Sequence, residues 1–199
     1  MAKFGIIILA AGASLRFGGI KQLSLYRERS FVRHALLEAA ETEKNTIVVL
    51  GANFDLVNSE ISALDATIVF NKEWEEGMSS SIRCGLNTLL QKEPGVEAAL
   101  FMVCDQPFVS SDLLKELMGK YDETGKPIIA SGYQGSIGTP ALFAKSFFPT
   151  LGTLEGNTGA KKIIMENMDS VVTVPFPMGY VDIDTKEDYA ALQNNQINH

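Results

Sequence analysis

Histidine and cysteine are nearly missing from this chain of 199 residues, which holds only His34, His199, Cys84 and Cys104. A histidine-rich metal centre is therefore excluded. A Ser-His-Asp or Cys-His nucleophile would have to recruit His34, since His199 is the last residue. His34 falls among Phe31, Val32, Ala35, Leu36 and Leu37, an apolar helical pattern in which it reads as a packed side chain. The two cysteines show no C-x-x-C spacing, so neither a disulfide framework nor a thiolate zinc site is expected, and both read as inert core thiols. Basic residues are also in the minority, 17 against 24 acidic ones, and the net charge of −7 disfavours a nucleic-acid or anionic-membrane surface. Nowhere does an apolar run approach the roughly twenty residues that span a bilayer. The first run, Phe4 to Ala13, has the length of a secretory signal core, but only Lys3 precedes it and a glycine-rich basic loop continues from it. A soluble, cytoplasmic protein is the expectation.

What the chain does contain is enough apolar material, 46% of residues, for a substantial core. Short apolar runs alternate with segments of helical period, the pattern of parallel strands joined by crossover helices. Strands are expected at Phe4 to Leu9, Thr46 to Leu50, Ala66 to Phe70, Ala98 to Val103, Ile128 to Ala130 and Val171 to Val174. Helices are expected near Phe31 to Glu41, Leu56 to Ser62, Ser80 to Leu90, Ser111 to Tyr121 and Gly159 to Met168. A last helix begins at Thr185, which stands three residues before Asp188 as in a capping box. With no repeat, linker or low-complexity tract, residues 1–199 read as a single open α/β domain with a mostly parallel sheet.

Ligands of such sheets bind beyond the carboxyl ends of the strands. After the first strand comes the loop Ala10-Ala11-Gly12-Ala13-Ser14-Leu15-Arg16-Phe17-Gly18-Gly19-Ile20-Lys21; Gly51, Asn71 and Asp105 follow the next three. Glycines let backbone N–H groups approach phosphate oxygens, and Arg16 and Lys21 supply cationic charge. That charge is concentrated here: residues 1–29 carry a net +4 and the remainder −11. Arg27 and Arg29 read as solvated surface. The loop is not a Walker A motif, because Ile20 separates Gly19 from Lys21 and Gln22 follows; it also lacks the first glycine of the dinucleotide fingerprint.

From Leu9 to Gly18, with Lys21 beyond, the loop resembles the signature of the MobA-like nucleotidyltransferases. The double alanine followed by Lys21-Gln22-Leu23 is most similar to the molybdenum cofactor cytidylyltransferase branch. Further matches are Asn71-x-x-Trp74-x-x-Gly77-Met78-Ser79-Ser80-Ser81, Cys104-Asp105-Gln106-Pro107, Gly138-Thr139-Pro140 and Asp182-Ile183-Asp184-Thr185. The resemblance implies a three-layer Rossmann-like fold of the nucleotide-diphospho-sugar transferase type. It implies transfer of CMP from CTP to molybdopterin cofactor with release of pyrophosphate, the product passing to a molybdenum hydroxylase. Mg²⁺ would be held by Asp105 and Asp182, with Arg16 and Lys21 stabilising charge. The nucleotide would meet Leu9, Ala10, Ala11, Gly12, Ser14, Arg16, Lys21, Gly51, Asn71, Gly77, Met78 and Ser80, with Ala10 to Gly12 distinguishing cytosine from guanine. Trp74 and Met78 flank the nucleotide or fill core.

Asp105 ends an apolar strand and should reach the ligand edge, while Pro107 blocks continuation of the ladder. Asp182 and Asp184 stand in a short extended segment expected to turn only one of them toward the ligand, leaving Asp184 structural or beside the ribose. Tyr133 to Pro140, rich in glycine, reads as a mobile acceptor-side loop or an ordinary hairpin, with Gly138, Thr139 and Pro140 touching the acceptor. Two positions depart from the branch pattern: Asn157 replaces its usual aspartate, and Arg29 stands in a turn where glycine is usual. Rival readings are a guanylyltransferase, a cytidylyltransferase acting on sugar phosphates or isoprenoid precursors, and a non-catalytic nucleotide-binding partner of a molybdoenzyme.

Overall fold

The computed structural model describes residues 2–197. Strand β1 (Phe4–Ala10) is buried along its whole length, because its side chains alternate between two apolar layers and none is polar. A two-residue hairpin follows, β2 (Leu25–Tyr26) and β3 (Arg29–Ser30). Its turn places Arg27 and Glu28 at positive φ, 49° and 64°. Arg29 lies outside that turn, paired with Tyr26 in β3, so the missing glycine imposes no left-handed conformation on it. Ser30 then caps α1 (Phe31–Thr42), its hydroxyl accepting from the Arg33 N–H at 3.3 Å.

The βα rhythm continues through β4 (Thr46–Leu50), α2 (Phe54–Ile61), β5 (Thr67–Phe70), α3 (Met78–Lys92), β6 (Ala98–Val103) and α4 (Ser111–Thr124). β7 (Ile128–Tyr133) and β8 (Ser136–Ala144) come next, then α5 (Phe148–Gly152), α6 (Ala160–Glu166), β9 (Val171–Pro175) and α7 (Lys186–Ile197). One seven-stranded sheet has the order β5-β4-β1-β6-β8-β7-β9, and only β8 runs against its neighbours. Tyr133 to Pro140 is therefore not a loop. Gly138, Thr139 and Pro140 lie within β8, and only Gln134 and Gly135 turn the hairpin, both at positive φ.

Helices cover both faces. Ile6, Ile8 and Ala10 pack with residues of α1, α2 and α4, while Ile7 and Leu9 pack with residues of α3, α5 and α6. α3 crosses the sheet closely because Gly85 has no side chain: a Cβ there would stand 2.5 Å from Ile7 Cγ2 and 2.9 Å from Val49 Cγ2. A third cluster of Phe17, Tyr26, Phe31, Ile183 and Leu192 fastens the glycine loop and the segment before α7 to the same corner. Thr185 and Asp188 form the expected reciprocal cap, with Thr185 N–H donating to Asp188 Oδ2 at 2.8 Å and Asp188 N–H to Thr185 Oγ1 at 3.2 Å. His34 is structural as expected: it is buried, its Nε2 lies 3.0 Å from the Pro107 carbonyl, and burial lowers its pKa.

Candidate active site

The chain leaves β1 into a loop whose shape is set by short contacts. Ser14 takes a left-handed conformation, φ 55°, and its carbonyl accepts from the N–H groups of Phe17 and Gly18 at 3.0 and 3.2 Å. Phe17 is buried edge-on against Tyr189 of α7, whereas Leu15 at the tip is 89% exposed. Gln22 braces the loop from below. Its Nε2 donates to the carbonyls of Ala10 (3.1 Å) and Gly12 (2.7 Å), and its Oε1 accepts from the Ser14 hydroxyl at 3.1 Å. The N–H groups of Ala13 to Arg16 donate to nothing within the described residues, so they stand available to an anion.

Across the loop, β6 delivers Asp105 from its carboxyl end. Lys21 Nζ donates to Asp105 Oδ2 at 2.7 Å and to Asp184 Oδ1 at 3.0 Å, and Arg16 pairs with Asp184 Oδ2 at 2.9 Å. Burial works to lower the Lys21 pKa, but its pairing with Asp105 and Asp184 outweighs that and holds it above the ordinary value. Asp105 Oδ1 is shielded from solvent and has no hydrogen-bond partner among the described residues.

Asp182 and Asp184 both face the cleft, against the expectation that only one would. Residues i and i+2 of an extended segment share a side, and Ile183 between them is fully buried, its N–H donating to the Asp105 carbonyl at 3.0 Å. Burial, together with the charges of Asp105 and Asp184, raises the Asp182 pKa. Among the described residues no group of three or more histidine, cysteine or acidic side chains is arranged to hold a metal. The donor set is instead a pair of carboxylates with an unpartnered oxygen, which fits a hard cation completing its shell from phosphate and water.

Two cavities meet at Asp105. The first, about 630 Å³, is lined by Leu9, Ala10, Ala11, Gly12, Ser14, Arg16 and Lys21 on one side and by Gly77, Met78, Ser81 and Asn157 on the other. The second, about 540 Å³, takes in Gln106, Tyr133, Thr139, Lys161, Tyr180 and Asp182. Trp74 lines the first cavity and also packs against the core below. Met78 is exposed and borders both spaces.

Several expected contacts lie behind the walls instead. Asn71 is buried; its Nδ2 donates to Ser80 Oγ (2.8 Å) and Ser81 Oγ (3.1 Å), tying the end of β5 to the start of α3. The Ser80 hydroxyl donates toward the Glu73 and Gly77 carbonyls at 2.7 and 2.8 Å, so Ser81 rather than Ser80 borders the cleft. Gly51 sits under the loop, where a Cβ would stand 2.5 Å from Trp74 Cβ and 2.6 Å from the Ala11 carbonyl. On the other side, Thr139 faces the second cavity, while the Tyr133 ring covers Gly138 and the Pro140 carbonyl accepts from Ser131 at 2.8 Å. Asn157 packs beside Gly77, whose φ of 106° and crowded α-carbon require glycine. Cys104 is a buried core thiol as expected, and burial pushes its pKa up to about 12, whereas Cys84 is only half-buried at the edge of the core, where burial also raises its pKa.

Gln22, Gln106 and Asp184 carry more of the site than their residue types suggested. Gln106 is buried, donating to the Gly179 carbonyl at 2.9 Å and accepting from Thr139 at 3.3 Å. All three stand inside the matched stretches Lys21-Gln22-Leu23, Cys104-Asp105-Gln106-Pro107 and Asp182-Ile183-Asp184-Thr185, but only Asp184 carried a reading, as structural or beside the ribose.

The open α/β sheet, with its glycine loop after β1 and a carboxylate after β6, has the nucleotide-diphospho-sugar transferase fold. The chain belongs to the MobA-like NTP transferase domain family, which it matches over residues 6–171. It is 24% identical over 194 residues to the purine catabolism protein PucB of Bacillus subtilis (strain 168), covering 92% of each chain. It is 28% identical over 172 residues to nicotine blue oxidoreductase of Paenarthrobacter nicotinovorans, covering 80% of each. A probable molybdenum cofactor guanylyltransferase of Bacillus cytotoxicus is 24% identical over 205 residues, with 94% of each covered. Among solved structures, Rv0371c of Mycobacterium tuberculosis H37Rv superposes with a TM-score of 0.82 at 25% identity, covering 97% of this chain and 98% of that one. Among the described residues no helix is long and apolar enough to cross a membrane.

Proposed function

We propose that this nucleotidyltransferase moves CMP from CTP to the phosphate of molybdopterin cofactor and releases pyrophosphate. The observation that carries the reading is the 2.7 Å pairing of Lys21 with Asp105 at the point where the two cavities join. The first cavity takes the nucleotide, with the triphosphate against the free N–H groups of Ala13 to Arg16 and the base against Ala10 to Gly12. The second takes the acceptor beside Thr139. The chain acts as one nucleotidyltransferase unit in the cytoplasm and hands its product to a molybdenum hydroxylase.

A phosphate monoester has a second pKa of about 6, so the acceptor arrives ionised and no protein base is required. Its oxygen attacks the α-phosphorus, the bond to the β-phosphate oxygen breaks, and pyrophosphate leaves with the electron pair. Asp105 and Asp182 are the residues that would hold Mg²⁺, which when bound neutralises phosphate charge. Lys21, released from its carboxylates as phosphate enters, and Arg16 follow the negative charge as it spreads toward the leaving group. Gln22 keeps the loop rigid, so its donors are in place before the nucleotide binds.

The test is pyrophosphate formation with CTP, GTP, UTP or ATP, each with Mg²⁺ and purified molybdopterin cofactor. CTP should be preferred by at least about tenfold, the upper end of what one net hydrogen bond to a base edge is worth. A preference for GTP, the donor implied by the name of the Bacillus cytotoxicus relative, would replace the cytidylyl reading with a guanylyl one. Absence of release with all four nucleotides would overturn the enzymatic reading.

A further inference from the structure

We infer that Lys161, steadied by Ser136, is the binding residue for the anionic phosphomonoester group of the acceptor. Lys161 stands at the start of α6 and borders the second cavity. Its Nζ reaches the turn end of the β7–β8 hairpin and donates to Ser136 Oγ at 2.9 Å. Among the described residues it meets no carboxylate within ion-pair distance, unlike its neighbour Lys162, which lies 3.9 Å from Glu166.

The charge pattern of the cavity gives this lysine its purpose. Three carboxylates border the space, those of Asp105, Asp182 and Asp184, and Arg16, the other cation there, is engaged with Asp184 at 2.9 Å. Carboxylates left uncompensated repel an entering anion, and an uncommitted positive charge at the same space offsets that repulsion. Lys161 is that charge, and its partner is a neutral hydroxyl that costs little to give up. The wall beside it is well packed: Tyr133, the cross-strand partner of Ser136, has its ring wedged over Gly138 and against Gly179 and packs edge-on to Phe176 at 6.4 Å. The inference rests on the functional reading above only for assigning the acceptor to this cavity. It concerns a residue that reading leaves without a role.

The two can be tested apart. Phenyl phosphate, an aryl phosphomonoester, is titrated against the full chain by ³¹P line broadening. CTP binding is followed separately through the fluorescence of Trp74, the single tryptophan, which borders the first cavity. Lys161→Ala should weaken phenyl phosphate roughly tenfold or more, the scale of one charge-assisted contact, with Lys161→Arg restoring most of it and Ser136→Ala giving a smaller loss. CTP binding should be the same in all four proteins. Unchanged phenyl phosphate binding in Lys161→Ala, equal weakening of both ligands, or no binding to the wild-type chain at tens of millimolar would overturn the inference. Binding of phenyl phosphate through Lys161 without any CTP binding would leave it standing and overturn the donor assignment.

Discussion

Replacing Lys21 by methionine keeps most of the side-chain volume and removes the charge that two carboxylates share. Breaking a fully buried ion pair by removing one partner costs about 3–5 kcal/mol, because the remaining charge is left uncompensated. Here the side chains of Lys21, Asp105 and Asp184 are 11%, 21% and 31% exposed, so water recovers part of that loss. The expected destabilisation is about 1–3 kcal/mol in urea unfolding near neutral pH. In a double-mutant cycle, adding Asp105→Asn to Lys21→Met should cost less than the sum of the single changes, since the unpaired carboxylate is then gone. The pH dependence has a definite sign. A lysine whose pKa is raised on folding stabilises fully below its unfolded value and loses that contribution as pH rises through the folded one, so on the alkaline side the difference between wild type and Lys21→Met should persist until strongly alkaline solution. Turnover should fall by about 10²–10³, as when one preorganised charge-stabilising group is removed. Additive effects in the cycle, or a Lys21→Met protein as stable and active as wild type, would refute the reasoning.

Asp182→Asn should behave in the opposite way on stability. Burial and two neighbouring carboxylates raise the Asp182 pKa, so the ionised side chain costs stability at neutral pH. Asp182 is nonetheless exposed overall, so water screens these charges and the substitution should raise stability only slightly, by roughly a few tenths of a kcal/mol, while lowering turnover; the gain should disappear in acid where the wild-type group is protonated, and thermal melts at two pH values with a parallel activity assay check both. Gln22→Ala removes a buried donor from the Ala10 and Gly12 carbonyls, which should cost about 1–3 kcal/mol and weaken CTP binding as well, because the loop loses its brace. Urea unfolding and CTP titration on the same preparation separate the two effects.

The strands at the centre of the sheet were readable because β1, β4 and β6 are buried on both faces and appear as unbroken apolar runs. The bounds of β4 and β6 agree with expectation, and those of β1 extend it by one residue, Ala10. β8 escaped because Gly138, Thr139 and Pro140 interrupt it, and nothing local reveals that it inserts between β6 and β7, against the direction of both. α2 and α3 start two residues earlier than the apolar period suggested: Asn53 enters α2 in a left-handed conformation, and Gly77 turns the chain into α3. The loop with Arg16, Lys21 and Asp105 was legible as chemistry, since charge and glycine stand where an open sheet opens its ligand edge. Which side chains face the cleft was less so. Asn71 and Ser80 sit in the motif but spend their hydrogen bonds on the backbone and on each other. Asp184 joins Lys21 and Arg16 only because burial of Ile183 points both flanking aspartates the same way.

The most direct test of the account is the rate of pyrophosphate release from CTP by Asp105→Ala, with Mg²⁺ and molybdopterin cofactor supplied and folding checked by circular dichroism. Release should fall to background in a protein whose spectrum matches wild type. A folded Asp105→Ala protein that turns over at the wild-type rate would contradict the assignment of chemistry to this cleft.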